Sequence, residues 1–281
     1  MLEGSNVKPT EVIWNRVAKA YRSFEEKHGY YRYLMNILLK DVIKYVKRIK
    51  RSRIVIEIGC GAGFSTTEIS KFLPSSLIIG VDISNGMLRV AWERLAYAKN
   101  ILFVDALAEK LPSRSGFADI ILSNAVFWMI DNVDDACIEI LNTLRTDGIF
   151  AFNFPVEQSP LPEEFQNFVY ILEDVANREN VKLNKFWERE NPRYRLNYWK
   201  SKLSQYNLII KESNERKISV SNNLVKEFLL LPYVNLRYFP EEPFTKRVQL
   251  MRKAIKIYLK KFEKLSHPSM MFVIAAKEEG F

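Results

Sequence analysis

Arg53-Ile-Val-Ile-Glu-Ile-Gly-Cys-Gly-Ala-Gly63 decides how the rest of the chain is read. A β-branched run ends in three alternating glycines, Gly59, Gly61 and Gly63, and a helical pattern follows from Phe64 to Leu73. A strand that passes through a glycine turn into a helix offers a ligand backbone N–H groups and the positive end of the helix. Glycine has no Cβ to block close approach.

The same rhythm continues on the C-terminal side. Ser76-Leu-Ile-Ile-Gly-Val81 reads as a second strand ending at Asp82, and a helix is predicted from Asn85 to Ala98. Ile101-Leu-Phe-Val104 ends at Asp105, and Ala118-Asp-Ile-Ile-Leu-Ser123 is a fourth strand. A helix over 132–145 leads to a fifth strand, Gly148-Ile-Phe-Ala-Phe-Asn-Phe154. Strands alternating with helices imply right-handed crossovers and a mostly parallel sheet covered on both faces. The continuously apolar strands fit that burial.

Outside this stretch the pattern changes. Apolar residues recur at helical spacing through residues 10–50, and Lys44 to Arg53 is a charge run. After Pro155, Pro160 and Pro162 mark a loop, and residues 163–205 read as helical and aromatic-rich. Asn207-Leu-Ile-Ile210 and Lys217-Ile-Ser-Val220 form one bent strand or a hairpin. Helices near 222–231 and 245–264 precede a last strand, Met270 to Ala276. The organisation expected is an N-terminal helical cap over 1–50 and an α/β domain over 51–281. That domain carries helical insertions at about 156–205 and 221–265.

The 281 residues are 48% hydrophobic and 27% charged, a globular composition with no run long enough to span a bilayer. Met1 to Thr10 has no apolar core of a signal peptide. Two cysteines, Cys60 and Cys137, and two histidines, His28 and His267, are too few and too scattered for a metal site or a disulfide framework, and they fit a reducing cytoplasm. The net charge of +9 divides into +8 over 1–53, −5 over 54–155 and +6 over 156–281. Basic flanks can attract nucleic acid, anionic lipid, an acidic carrier protein or a small acid, or can be solvated helix faces.

In an open α/β sheet, ligands sit at the carboxyl ends of the strands, where the glycines, Asp82 and Asp105 all fall. The G-x-G-x-G spacing differs from the G-x-G-x-x-G of most nicotinamide-binding proteins. Asp82 lies about 20 residues past the turn, where an acid accepts from two ribose hydroxyls. Asp105 is placed either to accept from an adenine amino group or to cap the next element.

These stretches resemble the class I S-adenosylmethionine-dependent methyltransferases. The matching residues are Val55 to Gly63, Gly80-Val-Asp-Ile-Ser-Asn-Gly-Met87, Asp105-Ala106, Ala118 to Asn124 and Leu144-Arg-Thr-Asp-Gly-Ile149, in order over roughly 53–154. The resemblance implies a Rossmann-like seven-stranded sheet with the last strand antiparallel. It implies S-adenosylmethionine as cofactor, no metal, and S-adenosylhomocysteine as product. Glu57 and the Gly59-Cys60-Gly61-Ala62-Gly63 loop would hold the methionine part, and Asp82 the ribose. Ile83 and Met87 would sandwich the adenine, Asp105 and Ala106 would face its edge, and the backbone at Asn124 and Ala125 would meet the methionine amino group. In Trp14-Asn-Arg-Val-Ala-Lys-Ala-Tyr21, Tyr21 is either a contact of a lid over the cofactor or a core aromatic. Thr146-Asp-Gly148 departs from the family's usual Pro-Gly-Gly, in a turn that only joins a helix to a strand.

For the acceptor, Ser123-Asn-Ala-Val-Phe-Trp-Met-Ile-Asp131 is similar to small-molecule relatives that esterify carboxylates, such as the trans-aconitate, malonyl-carrier-protein and juvenile hormone acid enzymes. Phe127, Trp128, Arg193, Arg195, Tyr198, Tyr233 and Arg237 are candidate substrate contacts, because arginine beside aromatics suits a flat or acidic molecule. The competing reading of each is an amphipathic surface position. His28 is a weak candidate for a general base. The signature of base- or glutamine-methylating enzymes is absent after the fourth strand, so nucleic acid is a disfavoured substrate. Methylation of RNA or protein and a silent cofactor-binding module are the alternatives to a small acidic substrate.

Overall fold

The computed structural model describes residues 9–47, 53–156, 162–265 and 267–278. The expected boundary at 50/51, Met1 to Lys8 and the turn at Pro160 lie outside these residues.

Seven strands form one sheet: β1 (Ile54–Ile58), β2 (Leu77–Asp82), β3 (Ile101–Asp105), β4 (Ala118–Asn124), β5 (Leu144–Pro155), β6 (Leu208–Arg216) and β7 (Met270–Lys277). Their order is β3-β2-β1-β4-β5-β7-β6. β7 runs antiparallel to both neighbours and the other pairs are parallel. The order reverses between β1 and β4, and this switch point opens a crevice at the carboxyl ends of the strands.

The helices are α1 (Pro9–His28), α2 (Tyr30–Val46), α3 (Phe64–Phe72), α4 (Asn85–Leu95), α5 (Val133–Thr143), α6 (Glu163–Arg178), α7 (Leu196–Ser204), α8 (Asn222–Leu229), α9 (Pro232–Tyr238) and α10 (Phe244–Lys261). The long helical stretch expected over 163–205 is broken into α6, two single 3-10 turns at Phe186–Glu188 and Pro192–Tyr194, and α7. Asn191-Pro192 accounts for the second break, since a residue before proline leaves the helical region. Neither the hairpin nor a strand reaching Val220 forms: β6 is a single strand ending at Arg216, with an irregularity between Ile210 and Glu212, and Lys217 to Val220 belongs to no strand.

The chain forms two compact units. The first comprises Met1–Pro155, Arg193–Arg216 and Met270–Phe281, and the second Val156–Pro192 and Lys217–Ser269. Residues 193–205, assigned from sequence to an insertion, thus lie in the sheet-bearing unit. There Trp199 of α7 is wholly buried, with ring centroids 5.0, 5.1 and 5.9 Å from those of Phe127, Phe152 and Phe154. In the second unit α6 packs along α10, with Phe168 edge-on to Tyr258 at 5.8 Å.

α1 and α2 are separated by Gly29, whose φ of 60° suits a residue without Cβ. Glu25, fully buried, accepts from the backbone N–H of Tyr31 at 2.9 Å and of Arg32 at 3.4 Å, satisfying donors that a helix start leaves open. Burial pushes its carboxyl above the ordinary value, against the pull of those N–H bonds.

Candidate functional site

The glycine loop is tied to β2 at three points. Gly59 N–H and Cys60 N–H both donate to the carbonyl of Val81, at 2.8 and 3.1 Å, and Gly61 N–H donates to Asp82 Oδ2 at 2.8 Å. All three glycines have positive φ, and at Gly59 a Cβ would also lie 2.5 Å from a methyl group of Val126. Residue type and position are therefore fixed both by backbone conformation and by the chain leaving β4.

Asp82 accepts from Ser84 N–H at 2.9 Å through Oδ1, so each carboxylate oxygen keeps a lone pair for an incoming hydroxyl. Burial raises its carboxyl to about 6, with the Asp105 charge adding to the rise and backbone N–H donors opposing it. Glu57 lies wholly buried at the end of β1, and burial raises it to about 7. Thr66 Oγ1 donates to Glu57 Oε2 at 2.5 Å, while Oε1 has no hydrogen-bond partner among the described residues. A buried acceptor left open is costly unless a ligand completes it.

Asp82 borders a cleft that is open to solvent. Of the residues expected at the cofactor, Tyr21, Gly59, Gly61, Asp82, Ile83, Met87, Ala106, Asn124 and Ala125 line it. Glu57, Cys60, Gly63 and Asp105 do not. Cys60 is buried, its thiol raised well above the ordinary value by burial. Asp105 carries its carboxylate to Asn85 Nδ2 at 2.8 Å. Glu57 is hydrogen-bonded to Thr66 of α3, and Gly63 precedes that helix in the left-handed conformation. Acidic side chains at Asp82, Glu109 and Asp131 line the cleft together with the aromatics Trp14, Tyr21 and Tyr31, and no lining residue among the described ones is basic.

The N-terminal helices supply those aromatics. Tyr21 stacks on Tyr31 at 5.4 Å and meets Trp14 edge-on at 6.5 Å, and its ring edge would stand 3.9 Å from a Cβ on Gly61. Burial raises its phenol well above the ordinary value. Asn15 fixes α1 over the start of α4: its Oδ1 accepts from Gly86 N–H at 2.6 Å and Ser84 Oγ at 3.0 Å. A Cβ on Gly86 would come within 2.8 Å of the Asn15 carbonyl oxygen, so this glycine permits the docking.

At the exit of β4, Ala125 adopts φ 58°, unusual for a residue with a Cβ. Buried Asn153, the register partner of Asn124 on β5, accepts from Ala125 N–H at 2.8 Å and donates to Asn124 Oδ1 at 2.8 Å. Asn124 Nδ2 donates in turn to the carbonyl of Tyr31 at 2.8 Å. Neither Asn15, Tyr31 nor Asn153 carries a motif. The signals that could have found them are Gly86 behind the capping Ser84, the tyrosine pair at 30–31, and an asparagine inside an otherwise aromatic strand.

The substrate candidates separate. Phe127 is fully buried among Phe150, Phe152 and Trp199, and does not reach the cleft. Trp128 packs on Tyr194 at 5.2 Å. Arg193 donates to the carbonyls of Trp128, Ile130 and Asp131. Arg195 is exposed at the start of α7 and Tyr198 leans on Trp199 at 5.0 Å. Tyr233 and Arg237 belong to the second unit, where Tyr233 meets Phe228 at 6.3 Å and Arg237 lies over Phe186 at 4.3 Å. His28 ends α1 with its ring 4.9 Å from Phe24 and does not line the cleft. The described residues hold no group of three or more His, Cys, Asp or Glu spaced for a metal, and no helix among them is long and apolar enough to cross a membrane.

Comparison with known proteins points the same way as this geometry. Residues 56–152 match the family described as a methyltransferase domain. A malonyl-acyl-carrier-protein O-methyltransferase of Halalkalibacterium halodurans is 32% identical over 105 residues, 36% of this chain and 38% of that protein. A trans-aconitate 2-methyltransferase of Afipia carboxidovorans is 36% identical over 117 residues, 41% of this chain and 43% of that protein. The matches thus span about two-fifths of these curated relatives. Among solved structures, a phosphoethanolamine N-methyltransferase of Haemonchus contortus, in complex with phosphomonomethylethanolamine and S-adenosylhomocysteine, shares the fold with a TM-score of 0.55 at 18% identity, covering 94% of this chain and 58% of that one. The match to a methyltransferase domain over residues 56–152 falls on β1 to β5 and the glycine loop, the part of the chain that builds this cleft.

Proposed function

We propose that the chain binds S-adenosylmethionine in this cleft and directs its methyl group to a small molecule, with a carboxylate oxygen as the acceptor. The observation that carries the reading is the donor and acceptor set at the glycine loop. Asp82 has lone pairs to spare beside a loop of backbone N–H groups, and the described lining is acidic and aromatic. That set fits a ligand with ribose hydroxyls and positive centres.

When bound, S-adenosylmethionine supplies an electrophilic methyl group. The chain's own part is to hold and align. Asp82 accepts from the ribose, Tyr21 and Tyr31 close the cleft against water, and the backbone at Asn124 and Ala125 faces the space beyond the glycine loop. Alignment of this sort supplies about 7–11 kcal/mol of barrier lowering. A carboxylate is ionised at neutral pH and asks for no base, which suits a cleft lined without an imidazole among the described residues. The names of the two relatives support the acidic acceptor.

Titration calorimetry with S-adenosylmethionine and S-adenosylhomocysteine tests the first half. Labelled cofactor against carboxylic acids, phenols, RNA and carrier proteins tests the second. Binding with label transfer to an acid is expected. Binding with transfer only to RNA or protein would replace the acceptor, and no binding of either cofactor would overturn the reading.

A further inference from the structure

Beyond β4 the chain makes a single 3-10 turn, Phe127–Met129, and the residues Met129, Ile130 and Asp131 form one wall of the cleft. Two backbone bonds hold this segment locally, Met129 N–H to the Val126 carbonyl at 2.7 Å and Ile130 N–H to the Phe127 carbonyl at 3.4 Å. Three of its own carbonyls are taken up by one side chain from more than sixty residues away. Arg193 Nη1 donates to Trp128 O at 3.2 Å and Ile130 O at 2.6 Å, and Nη2 to Asp131 O at 3.3 Å.

The other end of Arg193 is also fixed. Its carbonyl accepts from Trp199 Nε1 at 2.8 Å, and the Trp199 ring is buried against Phe127, at the base of the same turn. A little further on, Lys202 Nζ and Tyr206 Oη both donate to Asp134 Oδ1, at 2.8 and 2.5 Å. The segment around α7 therefore holds 128–134 at both ends. A planar fork spreads its donors over separate nitrogens and so reaches carbonyls that lie apart, whereas an ammonium has its three donors on one nitrogen.

The sheet order gives the wall its place. Asp82 ends β2 and the glycine loop ends β1, whereas the wall follows β4, on the opposite side of β1 from Asp82. We infer that Arg193 is a positioning residue that shapes the acceptor side of the cleft by fixing Met129–Asp131, rather than a contact for an acidic substrate. The inference rests on the cleft being a methyl-transfer site, as proposed above.

The test compares the full chain with Arg193→Met and Arg193→Lys by hydrogen exchange, with S-adenosylhomocysteine calorimetry alongside. Exchange at 128–134 is expected to rise about tenfold or more in Arg193→Met and less in Arg193→Lys, while β1 and β2 stay protected. Added guanidinium should restore part of the protection in an Arg193→Ala variant, which a general loss of packing would not allow. Affinity for S-adenosylhomocysteine should stay within about threefold of the parent, a free-energy change below about 0.7 kcal/mol. Unchanged exchange at 128–134 in both variants would overturn the inference. So would loosening accompanied by loss of cofactor affinity, since the wall would then belong to the cofactor side. If Arg193→Met fails to fold, Arg193→Lys decides by the same two readouts. A parent chain that binds no cofactor defeats the proposed function instead, and the exchange comparison separates the two failures.

Discussion

The two ends of the cleft are built in different ways. At the β1–β2 end one strand–helix–strand stretch makes the site: β1, the alternating glycines, and Asp82 at the end of the neighbouring parallel strand, about 20 residues on, accepting from Gly61 N–H. At the β4 end the site is assembled from far along the chain, with Arg193 clasping Trp128, Ile130 and Asp131, and Asn153 holding Ala125. The first end is encoded by local pattern and backbone conformation. The second is encoded by tertiary contact, and its residue types have no fixed spacing.

If the contrast is sound, damage at the first end should strike ligand binding hardest. Asp82→Ala removes the anchor of Gly61 and both candidate ribose acceptors at once. S-adenosylhomocysteine affinity is expected to fall about a hundredfold, or about 3 kcal/mol, in calorimetry, with the far-ultraviolet spectrum unchanged. An affinity within a few-fold of the parent would remove Asp82 from the site and the contrast with it.

The next effect concerns stability. Gly59→Ala places a Cβ at φ 72° and 2.5 Å from Val126, so both strain and overlap oppose it. The left-handed conformation alone costs roughly 1–2 kcal/mol and overpacking about 1–3 more. Denaturant unfolding should show a loss in that range. The double variant Gly59→Ala with Val126→Ala should recover the overlap part and leave the conformational part. No recovery would mean that the loop and the β4 exit are not in contact as described.

These two ends also differ in how much of them can be read before folding. The first five strands, Asp82 and the glycine loop follow from apolar runs and turn residues, because strand burial and positive φ each restrict residue type locally. Phe127 and Arg193 carry the right chemistry for a substrate pocket, but type alone cannot tell a ring that touches ligand from one buried under α7, or a guanidinium that binds an acid from one that binds carbonyls. Asp105 shows a third limit. It ends its strand in register with Asp82, yet its carboxylate meets Asn85 and does not line the cleft. The break at Asn191-Pro192 was legible in principle, through the restriction on a residue before proline.

A pH series probes the acids of the first end. Glu57 is raised from 4.5 to about 7 and Asp82 from 3.8 to about 6, mainly by burial. The folded chain therefore holds protons that the unfolded chain releases. The stability associated with the protonated pair is full below the ordinary values and is lost as pH rises to about 6 for Asp82 and about 7 for Glu57. The ligand-free chain should unfold at a lower temperature at neutral pH than near pH 5, while S-adenosylhomocysteine affinity rises as Asp82 ionises. Calorimetry in buffers of different ionisation heat should show proton release on binding near neutrality, reduced in Asp82→Asn. Affinity that does not change with pH would mean that the Asp82 carboxylate is not engaged.

The smallest effect belongs to Ala125, where the second end departs from ordinary backbone geometry. Its φ of 58° costs an L-residue about 1–2 kcal/mol, and glycine would relieve that at an expense of about 0.5–1 kcal/mol in unfolded-state freedom. Ala125→Gly should thus be neutral to slightly stabilising, by no more than about 1 kcal/mol. What distinguishes the causes is the pairing with Asn153→Ala, which leaves Ala125 N–H and Asn124 without their partner. If Asn153 imposes the turn on an unwilling alanine, Asn153→Ala should cost less in the Ala125→Gly background than alone, because glycine holds the turn without help. Equal costs in both backgrounds, measured as a double-mutant cycle, would show that the turn is set by the chain on either side and that Asn153 only fills it.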